Sequence, residues 1–165
     1  MQADISPKII ACTVVAASKS SWLNVTLIDD SDFKVFRFDD SVTSLQGLAV
    51  KESRDQLEAV IYCTYQTNGN NYLATFKATL LPSNGIELSF ESIIKLSWKN
   101  CGTRIAASDS LLVIGCSMFS NNLGFISLFR RDDMHDLAQF SGKSGLAVNI
   151  GRDIQIMQKS KDPKH

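Results

Sequence analysis

Apolar residues in this chain recur in short runs of five to nine, rich in β-branched and aromatic side chains and punctuated by Ser, Asn, Asp and Gly. Runs of that length between turn residues predict strands rather than helices. The clearest case is residues 111–131 (LLVIGCSMFSNNLGFISLFRR), where two such runs flank a Ser-Asn-Asn turn and predict a buried hairpin. The hairpin recurs. Shifted by 53 positions, residues 59–78 lie without a gap on 112–131, matching Cys63 with Cys116, Tyr72 with Phe125 and Phe76 with Phe129. A looser third copy, residues 23–38, puts Phe36 at the Phe129 position.

The remaining pattern fills in around these copies. Residues 1–8 read as a poorly ordered lead-in ending at Pro7, followed by strands over 9–17, 23–28 and 33–38. The last of these, FKVFRF, alternates apolar and basic residues, so one face is buried and the other is wet. Residues 44–50 restart the pattern before a charged loop over 51–56. A helix over 45–59 competes there, but Gly47 and the lack of an apolar stripe favour a strand. The second hairpin, 57–65 and 72–80, turns across Asn68-Gly69, a strong local turn signal. Extended segments follow at 86–91, 93–98, 103–107 and 137–140. A last pair, 145–150 and 153–158, is joined at Gly151-Arg152, with Met157 where the other copies carry Phe. Residues 159–165 read as a disordered basic tail.

Repeats of 40 to 53 residues with three or four short strands each predict stacked four-stranded antiparallel sheets. The run Leu23-Asn-Val-Thr-Leu-Ile-Asp-Asp-Ser-Asp-Phe-Lys-Val-Phe resembles the second and third strands of a WD40 repeat, and Gly124-Phe-Ile-Ser-Leu-Phe resembles the second half of one. Asp153-Ile-Gln-Ile-Met is a weaker match. The resemblance spans residues 9–158 and implies an all-β fold, a partial β-propeller of about three to four blades. No Gly-His or Trp-Asp dipeptide occurs, so the buried His and Asp network of regular WD repeats is not carried over.

Composition narrows the function. Seventeen Lys and Arg balance seventeen Asp and Glu, and 44% of residues are hydrophobic. A neutral chain is a poor nucleic-acid binder, because displacing counterions from phosphates takes excess positive charge. No apolar run approaches the ~20 residues of a membrane span, and Asp4 and Pro7 before the first run argue against a signal peptide. Cys12, Cys63, Cys101 and Cys116 show no C-x-x-C spacing, so neither zinc nor a redox pair is signalled. Buried reduced thiols in a cytoplasmic or nuclear protein are expected. The glycosylation sequon at Asn24 falls inside an expected strand.

The candidate chemistry is thin, and no catalytic, cofactor-binding or metal-ligating residue is assigned. Gly142-Lys143-Ser144 lacks the first glycine of a phosphate loop, since Leu137 stands there, and strand rather than helix is expected after it. His135 lies in a charged connection and His165 at the last position, so neither is placed to act as a base. Asp29-Asp30, Asp39-Asp40 and Asp132-Asp133 lack the glycine and ligand alternation of a calcium loop. Arg130-Arg131 with Lys159, Lys161 and Lys164 reads as a wet surface, partly neutralised by Asp132 and Asp133. Trp22 and Trp98, at strand margins, are expected to close core edges. What the resemblance implies is a non-enzymatic module that contacts other proteins through exposed sheet edges or further blades, without cofactor. The alternatives are a small-ligand-binding or hydrolytic propeller, and an incomplete propeller with no independent role.

Overall fold

A computed structural model of the chain describes residues 2–5, 9–15, 21–27, 33–53, 57–82, 85–98, 101–117, 123–142, 151–152 and 154–156. These residues form three four-stranded antiparallel sheets, each a meander taken in chain order. The first comprises β1 (Gln2–Ile5), β2 (Ile9–Val15), β3 (Ser21–Leu27) and β4 (Phe33–Arg37). The second comprises β5 (Val42–Glu52), β6 (Glu58–Thr67), β7 (Asn70–Leu80) and β8 (Ile86–Lys95). The third comprises β9 (Arg104–Ala107), β10 (Leu111–Gly115), β11 (Phe125–Arg130) and β12 (Asp136–Ser141).

The all-β expectation holds, and no helix occurs among the described residues. Where a helix competed, β5 forms instead, because its residues pair along β6 from Val42↔Thr67 to Glu52↔Ala59 with two bulges, at Thr43 and Gln46. The Asn68-Gly69 turn carries φ of 49° and 73°. Two consecutive positive φ values give the twist that a two-residue hairpin needs. The lead-in is a correction: Gln2–Ile5 is a strand on β2 rather than a disordered segment, its four pairs running from Gln2↔Thr13 to Ile5↔Ile10. Backbone pairing with a seven-residue neighbour outweighs the weak local pattern. Of the expected 145–150 and 153–158 pair, residues 145–150 lie outside the described residues and 154–156 belong to no strand. The basic tail also lies outside them.

The second sheet is the centre of the stack. Along β6 the side chains alternate between two cores: Ala59, Ile61, Cys63 and Tyr65 face the first sheet, whereas Val60 and Tyr62 face the third. The first core joins Leu23, Val25 and Phe38 to Phe76, Ile86 and the odd-numbered residues of β6. The second joins Ala49, Tyr62 and Leu73 to Ile105, Leu112, Ile114, Phe125 and Phe129. Burying each large side chain contributes roughly 1.5–3 kcal/mol. The first strands of successive sheets lie side by side, β1 beside β5 and β5 beside β9. Among the described residues the sheets form no closed barrel or ring.

The repeat alignment is correct in its faces for two copies and wrong for the third. Phe76 and Phe129, 0% and 8% exposed, each look back toward the preceding sheet. Phe36 looks forward, from the first sheet to the second, where it meets Phe76 at 4.8 Å. A one-residue offset reverses the face of a strand residue, so Phe36 is not the counterpart of Phe129. Even between the better copies the ladder differs by two residues: Ile61 pairs with Phe76, while its aligned residue Ile114 pairs with Ser127. An even shift changes partners and leaves faces intact.

Candidate functional site

Among the strands whose side chains are described, the fourth strand of each sheet is the most exposed, and each carries uncovered apolar side chains. Phe33 and Val35 on β4, Phe90 and Ile93 on β8, and Leu137 and Phe140 on β12 are 42% or more exposed, Phe33 reaching 63%. Pairing fixes their direction on β4. Leu23↔Phe36 faces the second sheet, so Thr26↔Phe33 and Asn24↔Val35 project from the opposite face together with half-buried Trp22. Charges punctuate the same strands: Lys34 and Arg37 on β4, Glu87, Glu91 and Lys95 on β8, and Asp136 on β12. Charged edge residues discourage indiscriminate strand pairing while leaving apolar contact area.

Between the first and second sheets the exposed edge opens into a groove of about 230 Å³, lined by Phe36, Phe38, Tyr65, Phe90 and Ile93, with Asp39 at its rim. Phe36 stacks on Phe90 with ring centroids 6.0 Å apart, and Phe38 tilts against Tyr65 at 5.3 Å. These rings pack on one another, so the groove is the mouth of a core rather than an open cage. Ser41 N–H donates to Asp39 Oδ1 (2.8 Å), and this bond holds the Asp39 carboxyl below its ordinary range. Asp40 pairs with Arg37 at 3.0 Å.

The second and third sheets are joined by a polar contact inside the core. Gly47 N–H donates to Thr64 Oγ1 (2.7 Å), and the same buried hydroxyl donates to the Gly102 carbonyl. A Cβ at Gly47 would overlap that carbonyl and stand 2.8 Å from Ile105 Cγ1. Only glycine permits so close an approach. Burial pushes the Tyr62 phenol up to about 12, an effect opposed by Arg131, and burial likewise pushes the Cys63 thiol up to about 12.

Two of the cysteines depart from the expected buried thiols, and one meets that expectation. Cys101 and Cys116, 15 residues apart with Cα atoms 4.0 Å from each other, form a disulfide beside the β9–β10 ladder, and Cys63 is a buried free thiol. The antiparallel hairpin brings them together, so no short spacing motif marks them in the sequence. The other residues considered stay apart. His135 is exposed, with its backbone N–H on Asp133 Oδ1. Arg130 pairs with Asp133 at 3.1 Å, and Arg131 Nη1 donates to the Ser108 carbonyl at 2.9 Å. Trp98 closes the second core against Phe125, centroids 4.9 Å apart. Gly142 is buried, while Lys143, Ser144, Asp29, Asp30, Lys159, Lys161, Lys164 and His165 lie outside the described residues. Among the described residues no three His, Cys, Asp or Glu side chains gather as a metal site, and no helix is long and apolar enough to cross a membrane. The glycines at the joint escape a reading of the sequence, where the one signal is Gly47 interrupting an apolar run.

Comparison with protein-family models, curated proteins and solved structures finds no match to this chain.

Proposed function

We propose that this chain is a non-enzymatic protein–protein interaction module, a WD40-like propeller segment acting as a scaffold or subunit of a multi-protein complex. The observation that carries the reading is the repeated exposure of apolar side chains on the last strand of each sheet, with Phe33, Val35, Phe90, Ile93 and Phe140 all 46% or more exposed. Apolar area rimmed by charge is what a protein partner covers. The blade-like plan draws support from the chain-order meanders and from the adjacent first strands of successive sheets. The cytoplasm or nucleus is the proposed location; in those reducing compartments Cys101 and Cys116 would be held as thiols.

Co-purification from cells tests the reading, comparing the parent chain with a Phe33→Asp/Val35→Asp pair and a Phe90→Asp/Ile93→Asp pair. One or both should lose a specific companion chain; the Phe33/Val35 pair, which projects from the face turned away from the second sheet, should do so while melting as the parent does, whereas the Phe90/Ile93 pair should also melt earlier because Phe90 packs on Phe36 and Phe76. An identical set of companions in all three preparations would sink the proposal.

A further inference from the structure

We infer that the groove between the first and second sheets is the seat for a tryptophan side chain presented by a partner protein. This rests on the reading of the chain as an interaction module and names the anchor its partner carries. The second core supplies the precedent, because the two joints match residue by residue. Phe38 N–H donates to the Ser21 carbonyl as Leu96 N–H donates to the Asn71 carbonyl, both at 2.9 Å. Two residues on from these acceptors, Leu23 enters the first core and Leu73 the second. Across the joints, Tyr72, Ala74 and Phe76 on β7 stand where Phe125, Ser127 and Phe129 stand on β11, with Phe76 and Phe129 each looking back at the preceding sheet.

The joints differ at one position. Two residues past Leu96, Trp98 lays its indole on Phe125 and Phe129, the rings that flank Ser127, with centroids 4.9 and 6.3 Å away. Two residues past Phe38 stands Asp40, whose side chain is 74% exposed and paired with Arg37. The first core therefore lacks an indole over Ala74, and Ala74 lines the groove. Phe36 and Phe38 fill part of the space. What is left, about 230 Å³, lies below the ~300–1,000 Å³ of pockets for drug-sized ligands and suits a single side chain. Phe90 and Ile93 wall it, and Asp39, Ser41 and Thr67 form a polar rim. An indole meets both parts: its faces bury against the rings, and its N–H needs the acceptor that the Asp39 carboxylate or the rim hydroxyls provide. Ser41 N–H keeps that carboxylate ionised. A leucine or phenylalanine would leave the rim acceptors facing apolar atoms. Neither tryptophan of these 165 residues is placed to enter the groove. Trp98 sits in its own core, and Trp22 lies half-buried on β3, inside the first sheet and on the face turned away from the second. A second copy thus offers no indole that can reach into a concave mouth.

The probe is the end-blocked pentapeptide Ser-Ser-Trp-Ser-Ser, titrated into the isotope-labelled 165-residue chain beside the same peptide with leucine at its centre. Saturable amide shifts are expected at Ser41, Thr67, Ala74 and Ile93, with the leucine peptide binding about tenfold less tightly. Ile93→Ser, which removes an exposed wall without entering a core, should weaken binding severalfold. Ala74→Leu, which fills the floor from within, should abolish it. No saturable change, equal binding of the two peptides, shifts confined to β12 or to Phe33 and Val35, or undiminished binding by Ile93→Ser would each overturn the inference. Free indole saturating the same amides while the peptide does not would overturn the protein partner in favour of a small molecule. A concentration-dependent dimer showing the same shifts without peptide would overturn it in favour of a second copy. Companion chains that still depend on Phe33 and Val35 while the tryptophan peptide fails to bind would overturn the tryptophan seat and leave the interaction-module reading standing alone.

Discussion

Replacing Thr64 with valine isolates the polar joint between the second and third sheets. Valine keeps the shape and removes the hydroxyl that accepts from Gly47 N–H and donates to the Gly102 carbonyl. Both backbone groups lie inside the joint beside Ile105, and Thr64 itself is 0% exposed. Leaving each buried group without its partner costs about 1–3 kcal/mol, so Thr64→Val should lose roughly 2–6 kcal/mol. Thr64→Ser keeps the hydroxyl and loses one packed methyl, a loss of about 1 kcal/mol. The assay is equilibrium unfolding in urea, followed by Trp98 fluorescence in a Trp22→Phe background, because Trp98 packs in the core that this joint closes. A Thr64→Val loss under about 1 kcal/mol, or one no greater than that of Thr64→Ser, would show that the hydroxyl does not hold the joint.

Phe76→Ala, which empties a fully buried site touching Phe36, Phe38 and Phe90, should cost roughly 3–5 kcal/mol in the same melts; a loss under about 1 kcal/mol would show that the first core is not closed. Opening the Cys101–Cys116 bond with reductant, which frees a 15-residue loop, should cost about 3 kcal/mol on the chain-entropy account, and unchanged urea midpoints would contradict it. Native Cys63 should resist alkylation at about pH 8 and react only in urea, since burial keeps its thiol protonated; rapid labelling of the native chain, read by peptide mapping, would refute this. Tyr62 has a folded value of about 12 above its ordinary 10.0, so between these the folded state holds more protons than the unfolded. The Tyr62 contribution to stability should therefore be intact below pH 10 and be lost as pH rises toward 12, and Tyr62→Phe should flatten that fall in alkaline melts.

The parts of this fold legible in the sequence are those governed by neighbours along the chain. Asn68-Gly69 announces its hairpin because those two residue types tolerate positive φ, and β6 and β7 announce themselves as apolar runs on either side of it. Phe36 is misplaced by the repeat alignment because counting from a turn fixes distance along a strand but not the face, which the Leu23↔Phe36 pair decides. Cys101 and Cys116 meet through the ladder around them, information held in pairing rather than spacing. Gln2–Ile5 is too short to carry a pattern and is a strand only because β2 is there to receive it. The Gly47 joint is invisible for a related reason: an absent side chain records a close approach without naming what approaches.

Because β6 shows one set of side chains to each neighbouring sheet, a chain made from its N-terminus has the residues of the first core in hand before those of the second. During synthesis the first sheet emerges with its inner face bare, and it gains shelter only when residues up to Leu80 have followed and the β6–β7 hairpin can swing onto it. The third sheet then condenses on the reverse side of the same hairpin. An error in one end sheet reaches the other through the second sheet, whose β5, β6 and β7 each give side chains to both cores, and a slip of one residue along β6 would exchange Ile61 with Tyr62 and spoil both seams at once.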